Sequence, residues 1–189
     1  MSIMCDSWIK EKSEKDKMIT PFSRRQISLD ENNNKIISYG LSSYGYDARL
    51  SEDFLSFNSN NKEVIDPKDF SHNNTSSLKQ KSYVIPANGF VLAKTMEHFK
   101  IPKNILVLCV AKSTYARCGI IVNVTPIEPE WEGYVTLELS NSTKTPVKVY
   151  SNEGICQFLF FLGNEECSTS YKKRGGKYMN QVDITTPFV

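Results

Sequence analysis

The sequence predicts an all-β chain, a jelly roll or barrel of short strands with a few short helices. The strands are short and frequent, some alternating apolar with polar residues and others apolar throughout. Gly, Pro, Asn and Asp mark turns between them. Helical periodicity is scarce. Together these features describe mainly-β architecture closed on itself.

The elements can be taken in order. Residues 1–20 read as a helical N-terminal segment. Asp6 or Ser7 could cap it, Trp8 and Ile9 could anchor it, and the Lys/Glu-rich part up to Lys17 forms a solvated face. Pro21 ends it. Asp30 to Asn34 is a polar loop, and Lys35 to Tyr39 resumes as a strand. Gly40 and Gly45 suggest a bend or bulge before a strand over Tyr46–Leu50. Asp47 and Arg49 share a face of that strand and are expected to pair. Asn58–Lys62 and His72–Lys81, rich in Asn, Ser and Lys, read as surface loops. Tyr83–Pro86 and Phe90–Lys94 flank Asn88-Gly89, a hairpin signal.

Asn104–Ala111 is nearly all apolar and predicts a strand covered on both faces. It runs into Lys112. Ser113 is a good N-cap and Gly119 a good stop, leaving room for one or two helical turns. Free backbone N–H groups at that N-terminus, with Lys112 before it and Arg117 on the same side as Ser113, suit an anion. Ile120–Thr125 follows as a buried strand. In Tyr134–Ser140, Val135, Leu137 and Leu139 alternate with Thr136 and Glu138, which therefore share one face. A Glu there, between two leucines, predicts a partly dry carboxylate with a raised pKa, suited to a general base. Val147–Tyr150 and Ile155–Leu162 are further strands, with Gln157 the strongly polar residue in the second. Asn164–Val189 is polar and loose.

The 189 residues suit one domain, 1–189, and 40% hydrophobic residues can fill a core. The balance of 23 Lys and Arg against 21 Asp and Glu argues against a nucleic-acid polymer as partner. No apolar run approaches a membrane span, and the N-terminus lacks the apolar core of a signal peptide. Five cysteines, an odd number without Cys-x-x-Cys spacing, predict reduced thiols and a cytoplasmic setting. Zinc nucleoside deaminases carry His-x-Glu and Pro-Cys-x-x-Cys patterns. This chain has only His72 and His98 and neither pattern, so a zinc-activated hydroxide does not fit.

One set of motifs goes further. Lys112-Ser113-Thr114-Tyr115-Ala116-Arg117 is followed by Val124-Thr125-Pro126, Pro129, Trp131, Gly133 and Thr136-Leu137-Glu138. Ser43-Tyr44-Gly45-Tyr46-Asp47 lies upstream and Tyr171 to Gln181 downstream. Over nearly the whole chain this pattern resembles the dCTP deaminase family of the dUTPase-like superfold. The resemblance implies a distorted jelly roll, homotrimers, and a hydrolase that converts dCTP to dUTP and ammonia for thymidylate synthesis. It implies Glu138 as general acid–base, with Ser113 and Arg117 holding the attacking water and the developing charge. It places Lys112 to Arg117, Thr136, Leu137, Glu138, Gln157, Tyr171, Lys177 and Gln181 around the nucleotide, with Glu128 a weaker candidate beside the sugar. Residues 164–189 become a closing arm, with Gly175 and Gly176 letting it fold over. Magnesium travels with the triphosphate, zinc is not needed, and dTTP is a feedback inhibitor. The rival readings are a bifunctional enzyme giving dUMP, a dUTP diphosphatase, and a non-catalytic nucleotide-binding regulator.

Overall fold

A computed structural model describes residues 2–57, 64–72 and 75–189. The strands are β1 (Ser2–Ile3), β2 (Ile19–Thr20), β3 (Ile27–Leu29), β4 (Lys35–Ser42), β5 (Gly45–Phe57), β6 (Thr75–Lys79), β7 (Ser82–Ile85), β8 (Phe90–Lys100), β9 (Ile105–Ala111), β10 (Ile120–Asn123), β11 (Glu132–Asn141), β12 (Val147–Tyr150) and β13 (Gly154–Leu162). The helices are α1 (Asp6–Asp16) and α2 (Ser113–Ala116). Among the described residues, eleven strands join one curled antiparallel sheet whose main path runs β1-β13-β5-β8-β11-β10, and β7 pairs with β12 apart from it. The chain is mainly β, as its strand patterning predicts.

The alternation in β11 sorts side chains as expected: Val135, Leu137 and Leu139 are buried, while Thr136, Glu138 and Ser140 are half-buried on the other face. The buried set packs with Tyr46, Phe54, Phe99, Phe158 and Phe160, none more than 1% exposed. Phe99 and Phe158 meet at 4.5 Å between ring centroids. Each such ring contributes about 1.5–3 kcal/mol by leaving water, so this core fixes the sheet that carries the polar face.

Two local devices set the register near Glu138. The β8–β11 ladder slips between Tyr134 and Thr136. There the Val135 N–H donates to Thr95 Oγ1 (3.0 Å), and the Thr95 hydroxyl donates to the Glu97 carbonyl (2.7 Å). A side chain thus supplies the acceptor that the irregular ladder lacks. Nearby, the fully buried Glu97 accepts the Arg49 N–H (2.9 Å) and Nε (2.7 Å) across the irregular β5–β8 pairing. Burial drives its carboxyl above the usual range, although Arg49 pulls the other way.

Several expectations are corrected. Asp47 and Arg49 do not pair with each other. Asp47 accepts from Lys112 Nζ at 2.6 Å and Arg49 serves Glu97, because each meets a countercharge on a neighbouring element. His72–Lys81 is not all loop: Thr75–Lys79 forms β6 and pairs with the edge of β5 through backbone bonds that its polar side chains do not prevent. The Asn88-Gly89 turn forms, with Asn88 at φ 53 and the Gly89 N–H on the Pro86 carbonyl at 2.9 Å. Its flanks separate, however, β7 pairing with β12 and β8 with β11. Ser113 is the first helical residue of α2, and Lys112 is its N-cap without a side-chain cap bond. Likewise Cys5, rather than Asp6 or Ser7, occupies the N-cap of α1. The loop expected over Asn58–Lys62 lies outside the described residues.

Candidate active site

Glu138 sits in mid-strand, opposite Leu92 of β8 on one side and Asn123 of β10 on the other. Its side chain faces a cavity of about 420 Å³ whose walls include Phe90, Leu92, Val124, Trp131, Val135 and Thr136. Glu138 Oε2 is buried and finds no hydrogen-bond partner among the described residues. Desolvation pushes this carboxyl up from an ordinary 4.5 to about 7, against a smaller opposing effect of its own backbone N–H. An acid at that value is part ionised at neutrality, so it can take a proton and return it.

The C-terminal segment supplies another wall of the cavity through Tyr171, Tyr178, Gln181, Thr185 and Pro187. It is held mainly to the start of β11 and the loop before it. The Tyr171 N–H donates to the Pro129 carbonyl (3.2 Å) and Trp131 Nε1 to the Tyr178 carbonyl (2.8 Å). The Asn180 N–H donates to the Glu132 carbonyl and the Tyr134 N–H to the Gln181 carbonyl, both at 2.8 Å. Gly133, at φ 146, admits this approach: a Cβ there would lie 2.7 Å from the Gln181 nitrogen. The Thr136 hydroxyl donates to Gln181 Oε1 and accepts the Thr185 N–H, each at 3.2 Å. Arg174 bonds Glu128, itself in the cavity wall, and its guanidinium lies 5.1 Å from the Tyr171 ring centroid.

The expected site residues fall into two groups. Thr136, Glu138, Tyr171 and Gln181 line the cavity. Lys177 stands beside it, donating to the Phe188 carbonyl at 2.8 Å and lying over the Tyr178 and Phe188 rings. Leu137 points the other way, into the core, so only its backbone is near. The second group lies outside the cavity lining. Lys112 follows β9 as the N-cap of α2 and is tied to Asp47. Ser113, Thr114, Ala116 and Arg117 are exposed on and just after α2, with Arg117 Nη1 on the Ser113 carbonyl at 3.3 Å. Tyr115 is buried beneath them, and its hydroxyl accepts the Tyr150 N–H at 2.9 Å. Gln157 opposes Asp47 and Val110 in the sheet and donates to Ser42 Oγ at 2.9 Å.

Sequence reasoning missed the apolar wall. Phe57, Phe70, Phe90 and Tyr178 all line the cavity. Phe90 and Leu92 alternate on β8 opposite Ser140 and Glu138, a signal that strand pairing would have exposed. Phe70, in a polar stretch, carried none. Among the described residues no three His, Cys, Asp or Glu side chains gather as a metal-ligand set, and no helix is long and apolar enough to cross a membrane.

A half-dry carboxylate, walled by aromatic rings and a folded-back tail, gives this mainly-β fold a cavity that can hold a small molecule beside a proton-transfer group. That fold matches the crystal structure of 2'-deoxycytidine 5'-triphosphate deaminase from Agrobacterium tumefaciens, with a TM-score of 0.59 over 85% of this chain at 18% identity. The match spans 48% of that longer chain and speaks to the fold alone. A family model described as dCTP deaminase-like matches residues 3–163, and the chain belongs to that family. It is 57% identical over 187 residues to a protein named dCTP deaminase from Rickettsia typhi (strain ATCC VR-144 / Wilmington), covering 99% of both chains. A protein of the same name from Francisella philomiragia subsp. philomiragia is 56% identical over the same length.

Proposed function

We propose that the protein is a dCTP deaminase, which hydrolyses the cytosine C4–N bond of dCTP to give dUTP and ammonia. The observation that carries this is the Glu138 carboxyl, its Oε2 buried without a partner and its pKa raised to about 7, in a cavity of about 420 Å³. In the proposed reaction Glu138 takes a proton from water as its oxygen bonds to C4. The C4=N3 bond opens toward N3 as the oxygen adds. The resulting acid passes its proton to the amino nitrogen, the C4–N bond breaks as the C4=N3 bond re-forms, and ammonia leaves. The hydroxyl proton left on the new oxygen moves to N3 to give uracil. One residue serves both transfers because its pKa lies near the working pH. General acid–base catalysis of this kind contributes about 10²–10⁴ in rate, and fixed dipoles and positioning supply the rest.

Thr136, Tyr171 and Gln181 bound the base and sugar in this reading, with Glu128 beside them. Lys112 to Arg117 and Gln157 hold phosphate and the developing charge. The family resemblance implies a homotrimer and brings Ser113 and Arg117 to Glu138; their exposure outside the cavity of their own chain supports a reading in which they serve Glu138 of a neighbouring subunit. Magnesium arrives with the triphosphate, held by phosphate oxygens and water; it neutralises phosphate charge and takes no part at C4. Among the described residues no three His, Cys, Asp or Glu side chains gather in a way that would hold a catalytic zinc. The five free cysteines fit a reducing cytoplasmic setting. The same pocket is expected to take dTTP as a feedback inhibitor.

Product analysis tests the proposal. Incubation with dCTP should yield ammonia and dUTP, and dUTP alone should be left intact. Pyrophosphate from either substrate would replace this reading with a bifunctional or diphosphatase activity; tight dCTP binding without turnover would replace it with a regulator.

A further inference from the structure

Lys94 lies outside the machinery described so far, yet it bonds the tail directly from the sheet. It projects from β8 directly opposite Thr136 of β11, and its side chain is only 12% exposed. Three acceptors surround its ammonium: it donates to the Val182 carbonyl at 2.9 Å and Asp183 Oδ1 at 3.0 Å, and it forms an ion pair with Asp53 Oδ2 at 3.3 Å. Desolvation works to lower its pKa, but Asp183 and Asp53 outweigh that and hold the ammonium above its ordinary value. Two of the three acceptors belong to the stretch just after Gln181, whose backbone pairs with Gly133 and whose side chain bonds Thr136. The Asp183 side chain is 88% exposed and its carbonyl takes a local bond from the Thr185 hydroxyl at 3.3 Å, so Lys94 is the tie between this carboxylate and β8.

We propose that Lys94 is a positioning residue that staples the C-terminal arm across the Glu138 cavity, setting how well the arm retains a nucleotide rather than the chemistry at C4. The geometry makes the staple specific. Lys94 and Thr136 are cross-strand neighbours on one face, so the arm is gripped at Val182 and Asp183 by one and at Gln181 and Thr185 by the other. Charge-assisted bonds from a shielded ammonium resist local opening far more than exposed ion pairs do. The effect on catalysis rests on the deaminase reading; the effect on the arm does not.

The test therefore has two readouts. Trypsin cleavage at Lys172, Lys173, Arg174 and Lys177, followed by mass spectrometry on the free protein, tracks the open population of the arm. Lys94→Met should speed it about tenfold or more, the scale expected for losing hydrogen bonds to a charged group, while cleavage elsewhere stays unchanged. It should raise the KM for dCTP by a similar factor with kcat within about twofold. Lys94→Arg should recover most of both. Asp183→Asn, at a site too exposed to threaten folding, should give a smaller rise of about threefold. Unchanged tail cleavage in Lys94→Met, even with a raised KM, would overturn the proposal in favour of direct nucleotide contact. Unchanged cleavage in Asp183→Asn would overturn it if Lys94→Met fails to fold. A protein without deaminase activity would still give the cleavage answer.

Discussion

Replacing Glu138 by Gln should make the protein more stable at alkaline pH and leave the difference small in acid. Glu138 rises from 4.5 to about 7 because its carboxylate is desolvated without a partner. Each tenfold change in acidity is worth about 1.36 kcal/mol, so the full rise amounts to about 3.4 kcal/mol. Glu138 is only half-buried, so solvent screens the penalty, and we take about half, roughly 1.5 kcal/mol. The sign follows from linkage. Below pH 4.5 the acid is protonated in both folded and unfolded chains, and nothing is lost. Between 4.5 and 7 the unfolded chain ionises first, so folding stability falls as pH rises. Above 7 both states are ionised and the full cost is present. Gln carries no such cost. Its melting temperature relative to wild type should climb by about 3–6 °C between pH 4.5 and pH 8, at about 2–4 °C per kcal/mol for a chain of this size. Thermal unfolding of both proteins across that range measures it. A difference that stays constant with pH would refute the claim that Glu138 is desolvated.

Other predictions follow from the same geometry. Arg117→Ala should lower kcat about 100-fold or more with little change in melting temperature, since Arg117 is exposed. Refolding an equal mixture of Arg117→Ala and Glu138→Gln chains should then restore about a quarter of the sites, because a trimer with shared sites pairs intact halves at that frequency; no recovery would place the site within one chain. Arg49→Met strands the fully buried Glu97 carboxylate and should cost about 3–5 kcal/mol, seen as a melting drop of about 10 °C. A strong zinc chelator should leave ammonia release intact once magnesium is resupplied, and loss that only zinc restores would contradict the proposed chemistry.

Much of this fold was legible in the sequence. Apolar alternation in Tyr134–Ser140 put Thr136 and Glu138 on one face, and the two leucines around Glu138 foretold its shifted pKa. The continuous run Asn104–Ala111 contains β9. What stayed hidden depended on pairing over long separations. No local signal says that Asp47 will meet Lys112, 65 residues away, or that Arg49 will meet Glu97. The Ser/Thr/Lys composition of Thr75–Lys79 reads as loop because its strand is held by backbone bonds to β5 rather than by burial of its own side chains. Turn chemistry at Asn88-Gly89 fixes the chain reversal but not which strands pair around it. Within the site, Glu138 was legible from its neighbours, whereas Lys94 and the rings of Phe57, Phe70 and Phe90 gain their place only once the sheet curls and the tail folds back.

The most direct test of the central claim is the rate of ammonia release by Glu138→Gln at saturating dCTP, beside its affinity for dCTP measured at equilibrium. If the Glu138 carboxylate shuttles the proton at C4, release should fall at least about 100-fold while affinity stays within a few-fold. Release at the wild-type rate would remove that carboxylate from the reaction and the proposed mechanism with it.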